Sequence, residues 1–165
     1  MSLSLVRVDD RLIHGQTVIM WSKYHQADAL ILLVPENVAR DKFMVTVLKN
    51  AGNALKQPVY IFGIEEAIEK VSKAIKSEKK YYLISKTIQE LYELRKSGVD
   101  YGDKLIFGTA SQKVNSKKIA NNIYLDKKDM DACDYLDEKG VEIIFKLIPD
   151  EQGISWKKAK EKVDL

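Results

Sequence analysis

The sequence predicts an α/β fold with a largely parallel sheet, built as a single domain over residues 1–165. Apolar segments of strand length alternate along the chain with segments of helical period, which is typical of parallel strands joined by helices. The 165 residues are 45% hydrophobic and 31% charged, which suits one domain with its own core. Prolines number only three, and no linker, low-complexity tract or repeat marks a domain boundary.

Seven short apolar runs predict the strands. They cover residues 3–8, 30–34, 59–62, 81–84, 104–107, 123–125 and 141–147. The run at 123–125 is the shortest of them and has the weakest pattern.

Helices are predicted between these strands from the spacing of apolar residues. The stretches 44–55 and 64–75 each place apolar side chains at i, i+4, i+7 and i+11, so each forms one apolar stripe that should pack on the sheet. Further helices are expected before Gly98 and Gly140, since glycine commonly ends a helix. A short, lysine-rich helix is expected at 155–165.

Composition excludes several classes of protein. The 27 basic and 24 acidic residues are interspersed and leave a net charge of +3, so no nucleic-acid partner is expected. Neither a membrane span nor a signal peptide is recognisable, which predicts a cytoplasmic protein. Cys133 is the single cysteine and the chain has two histidines, so no metal site is expected, and Cys133 is interpreted as a core residue.

Arginine is scarce and unevenly placed. The chain has 23 lysines but four arginines, and two of these, Arg7 and Arg11, lie within five residues at the end of the first strand. The carboxyl end of a strand in an open α/β sheet is where ligands bind. Because arginine can donate two parallel hydrogen bonds to a phosphate, Arg7 and Arg11 are candidate phosphate ligands.

The segment that follows Arg11 adds further anion-binding features. Gly15, Gln16 and Thr17 begin a predicted helix, and their backbone N–H groups and the helix dipole favour an anion. Gly15 also lacks the Cβ that would keep a phosphate-sized group away from the backbone. The loop is therefore predicted to bind a small anion.

His14 lies in the middle of this loop and is a candidate nucleophile. Its neutral imidazole could attack a phosphoryl group, with Asp9 or Asp10 orienting the ring. Two simpler interpretations stay open at this point. The histidine could be an ordinary loop residue, and the Asp-Asp-Arg sequence could be a turn with a surface ion pair. Motifs typical of nucleotide hydrolases, dehydrogenases, serine hydrolases and zinc proteases are absent from the sequence.

The ten residues 7–16, RVDDRLIHGQ, closely resemble the active-site signature of enzyme IIB of the mannose/fructose/sorbose family of the phosphoenolpyruvate-dependent sugar phosphotransferase system. This resemblance implies an open, mixed, mostly parallel seven-stranded sheet with helices on both faces. It also implies a cytoplasmic phosphocarrier, a protein-N(pi)-phosphohistidine–sugar phosphotransferase without a cofactor. His14 would take a phosphoryl group from a phosphohistidine on a IIA partner and pass it to a sugar at the membrane IIC and IID permease subunits, with which the protein would associate peripherally.

Residue roles follow from the same resemblance. Arg7 and Arg11 would hold the phosphoryl group, Asp9 or Asp10 would tune the loop, and Gly15 and Gln16 would offer backbone donors. After the fifth strand the family often has a Gly-Gly-Met loop, whereas this chain has Gly108, Thr109, Ala110 and Ser111. The hydroxyls of Thr109 and Ser111 are therefore expected to donate to phosphate in this second loop.

Two alternatives from other functional classes remain. The loop could belong to a non-catalytic module that binds an anion or a nucleotide, with His14 as a hydrogen-bond donor only. The chain could also be an interaction or regulatory protein that keeps the fold without the activity. Intact Arg7, Arg11 and His14 favour the active carrier. The oligomeric state and the identity of the sugar are not predicted.

Overall fold

The computed structural model describes residues 2–163, which form nine strands and seven helices. In chain order the elements are β1 (Leu3–Asp9), α1 (Gly15–Ser22), β2 (Ala29–Leu33), α2 (Glu36–Ala39), α3 (Lys42–Ala54), β3 (Val59–Phe62), α4 (Ile64–Ile75), β4 (Tyr81–Ser85), α5 (Ile88–Lys96), β5 (Lys104–Thr109), β6 (Lys117–Ala120), β7 (Ile123–Leu125), α6 (Lys127–Glu138), β8 (Glu142–Phe145), β9 (Ile154–Ser155) and α7 (Trp156–Lys162).

The main sheet has seven strands in the order β3-β2-β4-β1-β5-β8-β9. All neighbouring pairs are parallel except β8 and β9, which are antiparallel. The fold class expected from the sequence, a mostly parallel but mixed seven-stranded sheet, is therefore confirmed.

The membership of this sheet differs from the expectation at one strand. The run at 123–125 is a strand, β7, but it pairs antiparallel with β6 in a separate two-stranded sheet. Asn122 adopts a φ of 61° between these strands, a left-handed conformation that asparagine tolerates, and the chain reverses there. The seventh place in the main sheet is taken by β9, whose two residues are too few to give a sequence pattern.

Helices cover both faces of the sheet. On one face α1 and α3 enclose a core that includes Leu5, Leu30 and Trp21. On the other face α4, α5, α6 and α7 enclose a second core, in which Cys133 is 0% exposed. Burial raises the pKa of the Cys133 thiol well above its ordinary value, in agreement with its interpretation as a core residue.

The helix ends follow local sequence signals. Thr87 and Asp126 form capping boxes at the starts of α5 and α6. The expected stops are confirmed, because Gly98 and Gly140 have φ values of 89° and 82° just after those helices. The tail helix is present as α7, and the last two residues of its expected range, 164–165, lie outside the described residues.

The strand order creates a switch point beside β1. After β1 the chain continues to β2, which lies on one side of β1 in the sheet. After the neighbouring β5, its next strand in this sheet is β8, which lies on the opposite side. Loops that diverge in this way open a crevice at the carboxyl ends of the strands, which is the usual ligand position in such sheets. The loops after β1 and β5 meet there.

Candidate active site

The loop between β1 and α1 has a constrained backbone. Leu12 adopts a φ of 60°, which costs about 1 kcal/mol or more in a residue with a side chain. Its backbone N–H donates to the Asp9 carbonyl at 2.9 Å, and its side chain is only 5% exposed. The buried side chain and the tight turn together hold the loop in shape.

Asp9 is the central acceptor beneath this loop. Its buried carboxylate receives Nη2 of Arg7 at 3.1 Å and Nη2 of Arg11 at 2.9 Å. The Arg11 backbone N–H and Nε both reach Oδ1 at 3.0 Å. Burial pushes the pKa of Asp9 up, but the Arg11 hydrogen bonds, the Arg7 charge and the Thr109 hydroxyl outweigh it and hold the pKa below its ordinary value. Asp9 therefore stays ionised and binds both arginines.

Arg7 lies under the loop rather than on its surface. Its side chain is 2% exposed, and its guanidinium lies 5.5 Å from the centre of the Trp21 ring. Nε and Nη1 have no hydrogen-bond acceptor among residues 2–163. Burial lowers the pKa of Arg7 and outweighs the attraction of Asp9. The Arg7 guanidinium is thus enclosed beneath the loop, and its contact with a phosphoryl group stays a prediction.

Arg11, in contrast, reaches the surface. Its side chain is 35% exposed, and hydrogen bonding to Asp9 raises its pKa further. Nη2 also lies 3.3 Å from the Thr17 hydroxyl. Arg11 is thus oriented from below by Asp9 while remaining accessible at the edge of the loop.

The second loop contacts the first through carboxylates. The Thr109 hydroxyl lies 2.8 Å from Asp9 Oδ1 and 2.6 Å from Asp10 Oδ1. The Ser111 backbone N–H and hydroxyl donate to Asp10 Oδ2 at 2.7 and 2.5 Å. Burial raises the pKa of Asp10, but the bonds from Ser111 and Thr109 outweigh it and lower the pKa below its ordinary value.

The two hydroxyls of the second loop have carboxylate acceptors in this structure. Thr109 contacts Asp9 and Ser111 contacts Asp10, and the donation of either hydroxyl to phosphate stays a prediction. Gly108 leaves space for the Arg7 guanidinium, because a Cβ at position 108 would overlap it. The second loop therefore supports the first one and makes room for Arg7.

His14 is the N-cap residue of α1 and has extended backbone angles. Its side chain caps none of the free N–H groups of the first turn, and that turn contains no acidic residue. The N–H groups that begin at Gly15 and Gln16 are therefore not capped by His14, and anion binding by them stays a prediction. An added Cβ on Gly15 would lie 3.7 Å from Leu55, an ordinary contact, so the protein interior does not demand a glycine there.

The imidazole of His14 contacts a residue other than the one expected. Its Nδ1 lies 3.4 Å from the Thr17 hydroxyl. Within residues 2–163 neither Asp9 nor Asp10 bonds to the ring, because both carboxylates are engaged by the arginines, Thr109 and Ser111. The expectation that one of them orients His14 directly is corrected.

Three residues of the site were missed by sequence reasoning. The sequence predicts only a backbone role for Thr17 and no role in the site for Trp21. Lys86, which follows the strand run 81–84, donates from Nζ to the Asp10 carbonyl at 3.2 Å. Its position at the carboxyl end of β4, next to β1, is a signal that could have identified it.

The fold and the loop together define a class of protein, an α/β domain whose first βα loop places a histidine and a partly exposed arginine at the start of a helix. No helix within residues 2–163 is long and apolar enough to cross a membrane. The chain belongs to the family described as the sorbose subfamily IIB component of the phosphotransferase system, whose model matches residues 3–164. It is thus a sugar-specific IIB component and an enzyme of the phosphotransferase class.

Relatives match most of the chain. It is 33% identical over 156 residues to the sorbose-specific EIIB component of Lacticaseibacillus casei, covering 90% of this chain and 88% of that protein. It is 26% identical over 151 residues to the N-acetylgalactosamine-specific enzyme IIB component 1 of Escherichia coli K12, covering 92% and 94%. The crystal structure of the IIBSor domain of the sorbose permease from Klebsiella pneumoniae has the same fold, with a TM-score of 0.87, 24% identity and full coverage of both chains.

Proposed function

We propose that His14 is the phosphoryl acceptor of this IIB component. It receives the phosphoryl group from a phosphohistidine on a IIA partner and passes it to a sugar at the membrane IIC and IID subunits. The observation that supports this most is the position of His14 at the N-cap of α1, directly before a first turn whose N–H groups its side chain does not cap. A phosphoryl group on the imidazole would lie against those N–H groups.

The transfer step needs positioning more than acid–base chemistry. An imidazole nitrogen of His14 forms a bond to phosphorus while the bond from phosphorus to the donor imidazole breaks, and the electron pair of that bond returns to the donor. The α1 N–H groups and the accessible Arg11 stabilise the negative charge on the phosphoryl oxygens. In the second transfer a sugar hydroxyl forms the bond to phosphorus while the bond from phosphorus to His14 breaks, the electron pair of that bond returns to the imidazole, and the hydroxyl proton passes to a base at the sugar site of the permease.

Arg7 contributes through other residues. It holds Asp9, and Asp9 in turn orients the exposed guanidinium of Arg11. Gly15 and Gln16 supply backbone donors, whereas Asp10 joins the two loops through Thr109 and Ser111. Arg7, Asp9 and Asp10 are therefore positioning residues, and Arg11 is the side chain that meets the phosphoryl group.

The partners and the location follow from this role. A histidine that must meet two proteins in turn needs an accessible, weak and transient interface. We place the protein in the cytoplasm, in peripheral association with the permease. Its surface lysines would steer an acidic IIA surface, so transfer should be faster at low ionic strength. Because the relatives are named for different sugars, we propose that the substrate is a sugar and do not propose which one.

The test is covalent labelling. The protein is incubated with phosphoenolpyruvate, the general phosphotransfer proteins and a IIA partner. We expect one phosphoryl group per chain, labile in acid and stable in base, which is lost in His14→Ala and kept in His25→Ala. A label that persists in His14→Ala would overturn the assignment. Reversible, salt-sensitive phosphate binding without a covalent label would favour the non-catalytic module instead.

A further inference from the structure

The Thr17 hydroxyl lies between the two side chains that the proposed reaction uses. It is 3.3 Å from Nη2 of Arg11 and 3.4 Å from Nδ1 of His14. Thr17 is only 7% exposed, so its hydroxyl has a fixed neighbourhood. Both distances are at the long end for hydrogen bonds, which is common in active sites before a ligand arrives.

Thr17 lies in the first turn of α1, and its hydroxyl has partners outside the helix backbone. A threonine further along a helix ordinarily donates to the carbonyl four residues earlier, as Thr46 does to Lys42 at 2.8 Å in α3. For Thr17 that carbonyl belongs to Ile13, which precedes the helix. Its hydroxyl contacts Arg11 and His14.

Chemistry sets the direction of the bond to Arg11. A guanidinium can only donate, so the Thr17 oxygen accepts from Arg11 and keeps its own proton. That proton can be donated to Nδ1 of His14, which accepts it in the tautomer that carries its proton on Nε2. We infer that Thr17 is a positioning residue, which selects the His14 tautomer with an unprotonated Nδ1 and a protonated Nε2.

Asp9 anchors this sequence of contacts. Its carboxylate holds Nε and Nη2 of Arg11 at 3.0 and 2.9 Å, so Arg11 presents a fixed N–H to Thr17. The carboxylate that was expected to orient the imidazole therefore acts on it at a distance, through Arg11 and Thr17.

The inference rests on the proposed function and specifies its geometry. The unprotonated Nδ1 lies on the side of Thr17, a residue of the first turn of α1, where the free N–H groups are found. Nδ1 forms the bond to phosphorus as the bond to the donor nitrogen breaks, and Nε2 keeps its proton throughout. The Thr17 hydroxyl then donates to a phosphoryl oxygen in place of Nδ1.

The primary test uses the protein alone. Long-range ¹H–¹⁵N correlation spectra of the ¹⁵N-labelled chain, recorded where the imidazole is neutral, distinguish a protonated from an unprotonated ring nitrogen. For His14 we expect a single tautomer with the proton on Nε2. Thr17→Val keeps the branched shape but removes the hydroxyl, so the Nδ1 signal should move toward its protonated value. Thr17→Ser should restore the original signal, and Thr46→Val should leave it unchanged.

Phosphoryl transfer from the IIA partner gives a second measurement. The rate should fall about 2- to 10-fold in Thr17→Val, which corresponds to one neutral hydrogen bond, and recover in Thr17→Ser. Circular dichroism and urea unfolding show whether each variant is folded.

A wild-type His14 with its proton on Nδ1, or a tautomer signal unaffected by Thr17→Val, would overturn the inference. Failure of the wild-type protein to take up phosphoryl would overturn the proposed function, while the spectra would still decide the role of Thr17.

Discussion

Gly108→Ala is the sharpest perturbation of the buried ion pair beneath the loop. A Cβ at position 108 would lie 2.9 Å from Nη1 of Arg7 and nearer still to Nη2 and Cζ. Ordinary contacts need about 3.5 Å, so the guanidinium must move by about 1 Å or more. Nη2 is the atom that binds Asp9, and the single added methyl group therefore acts on the ion pair.

The magnitude follows from two contributions. Forcing a methyl group into a packed site costs about 1 to 3 kcal/mol, and weakening a charge-assisted hydrogen bond adds about 1 to 2 kcal/mol. We expect the free energy of unfolding to fall by about 2 to 5 kcal/mol in Gly108→Ala. In a chain of this size, Tm would fall by about 4 to 20 °C.

Urea unfolding and calorimetry measure this loss, and Gly15→Ala is the matched control for stability. The Cβ of Gly15→Ala meets Leu55 at 3.7 Å without overlap, so this variant should be as stable as the wild type or slightly more stable. Arg7→Ala removes the clashing group, and the cost of Gly108→Ala should shrink in that background. A Gly108→Ala protein within about 0.5 kcal/mol of the wild type would refute the packing of Arg7 on Gly108.

Other predictions concern the same loops. Arg11→Lys keeps the charge but loses the two-pronged geometry, so phosphoryl transfer from IIA should slow about 10-fold or more; an unchanged rate would contradict the geometric role of the guanidinium. Thr109→Ala removes the hydroxyl shared by Asp9 and Asp10 and leaves Asp10 Oδ1 without its donor, so urea unfolding should show a loss of about 1 to 3 kcal/mol, and no loss would mean that Asp10 finds another donor. The pKa values of Asp9 and Asp10 are lower in the folded protein than in the unfolded chain, so their stabilisation is present above about pH 4 and is lost as the pH falls through the folded pKa values. Acid titration followed by circular dichroism should therefore show the Thr109→Ala transition at a higher pH than the wild-type transition, and coincident curves would argue against this linkage.

Most of the main sheet could be predicted because its central strands are buried on both faces. Residues 30–34 are continuously apolar, which is typical of a strand between two layers of helices. The pairing of residues 123–125 could not be predicted, since it depends on a neighbouring hairpin strand, 117–120, that is largely exposed and lysine-rich. Local patterns report burial, whereas the choice of pairing partner is a property of the tertiary structure.

The sequence places the candidate site in the loop after β1, but it does not predict which residue of the loop has which contacts. The residue types alone did not separate an exposed arginine from a buried one. The alternation of side chains along β1 does indicate that Arg7 is buried. Leu5, Arg7 and Asp9 lie on the same side of the strand, and Leu5 belongs to the core under α1. The contacts of Thr109 with both carboxylates depend on the pairing of β5 with β1, which lies about 100 residues away in the chain.

Leu12 has a consequence for how the carrier distinguishes its partners. A left-handed residue with a buried side chain, three positions after Asp9, fixes the loop's shape before any other protein arrives. Neither a phosphoryl donor protein nor a phosphoryl acceptor can change the shape of this loop without removing the Leu12 side chain from the core. Under the proposed function the same rigid loop surface meets the IIA partner and the permease in turn, so any discrimination between these two partners must lie in their own surfaces.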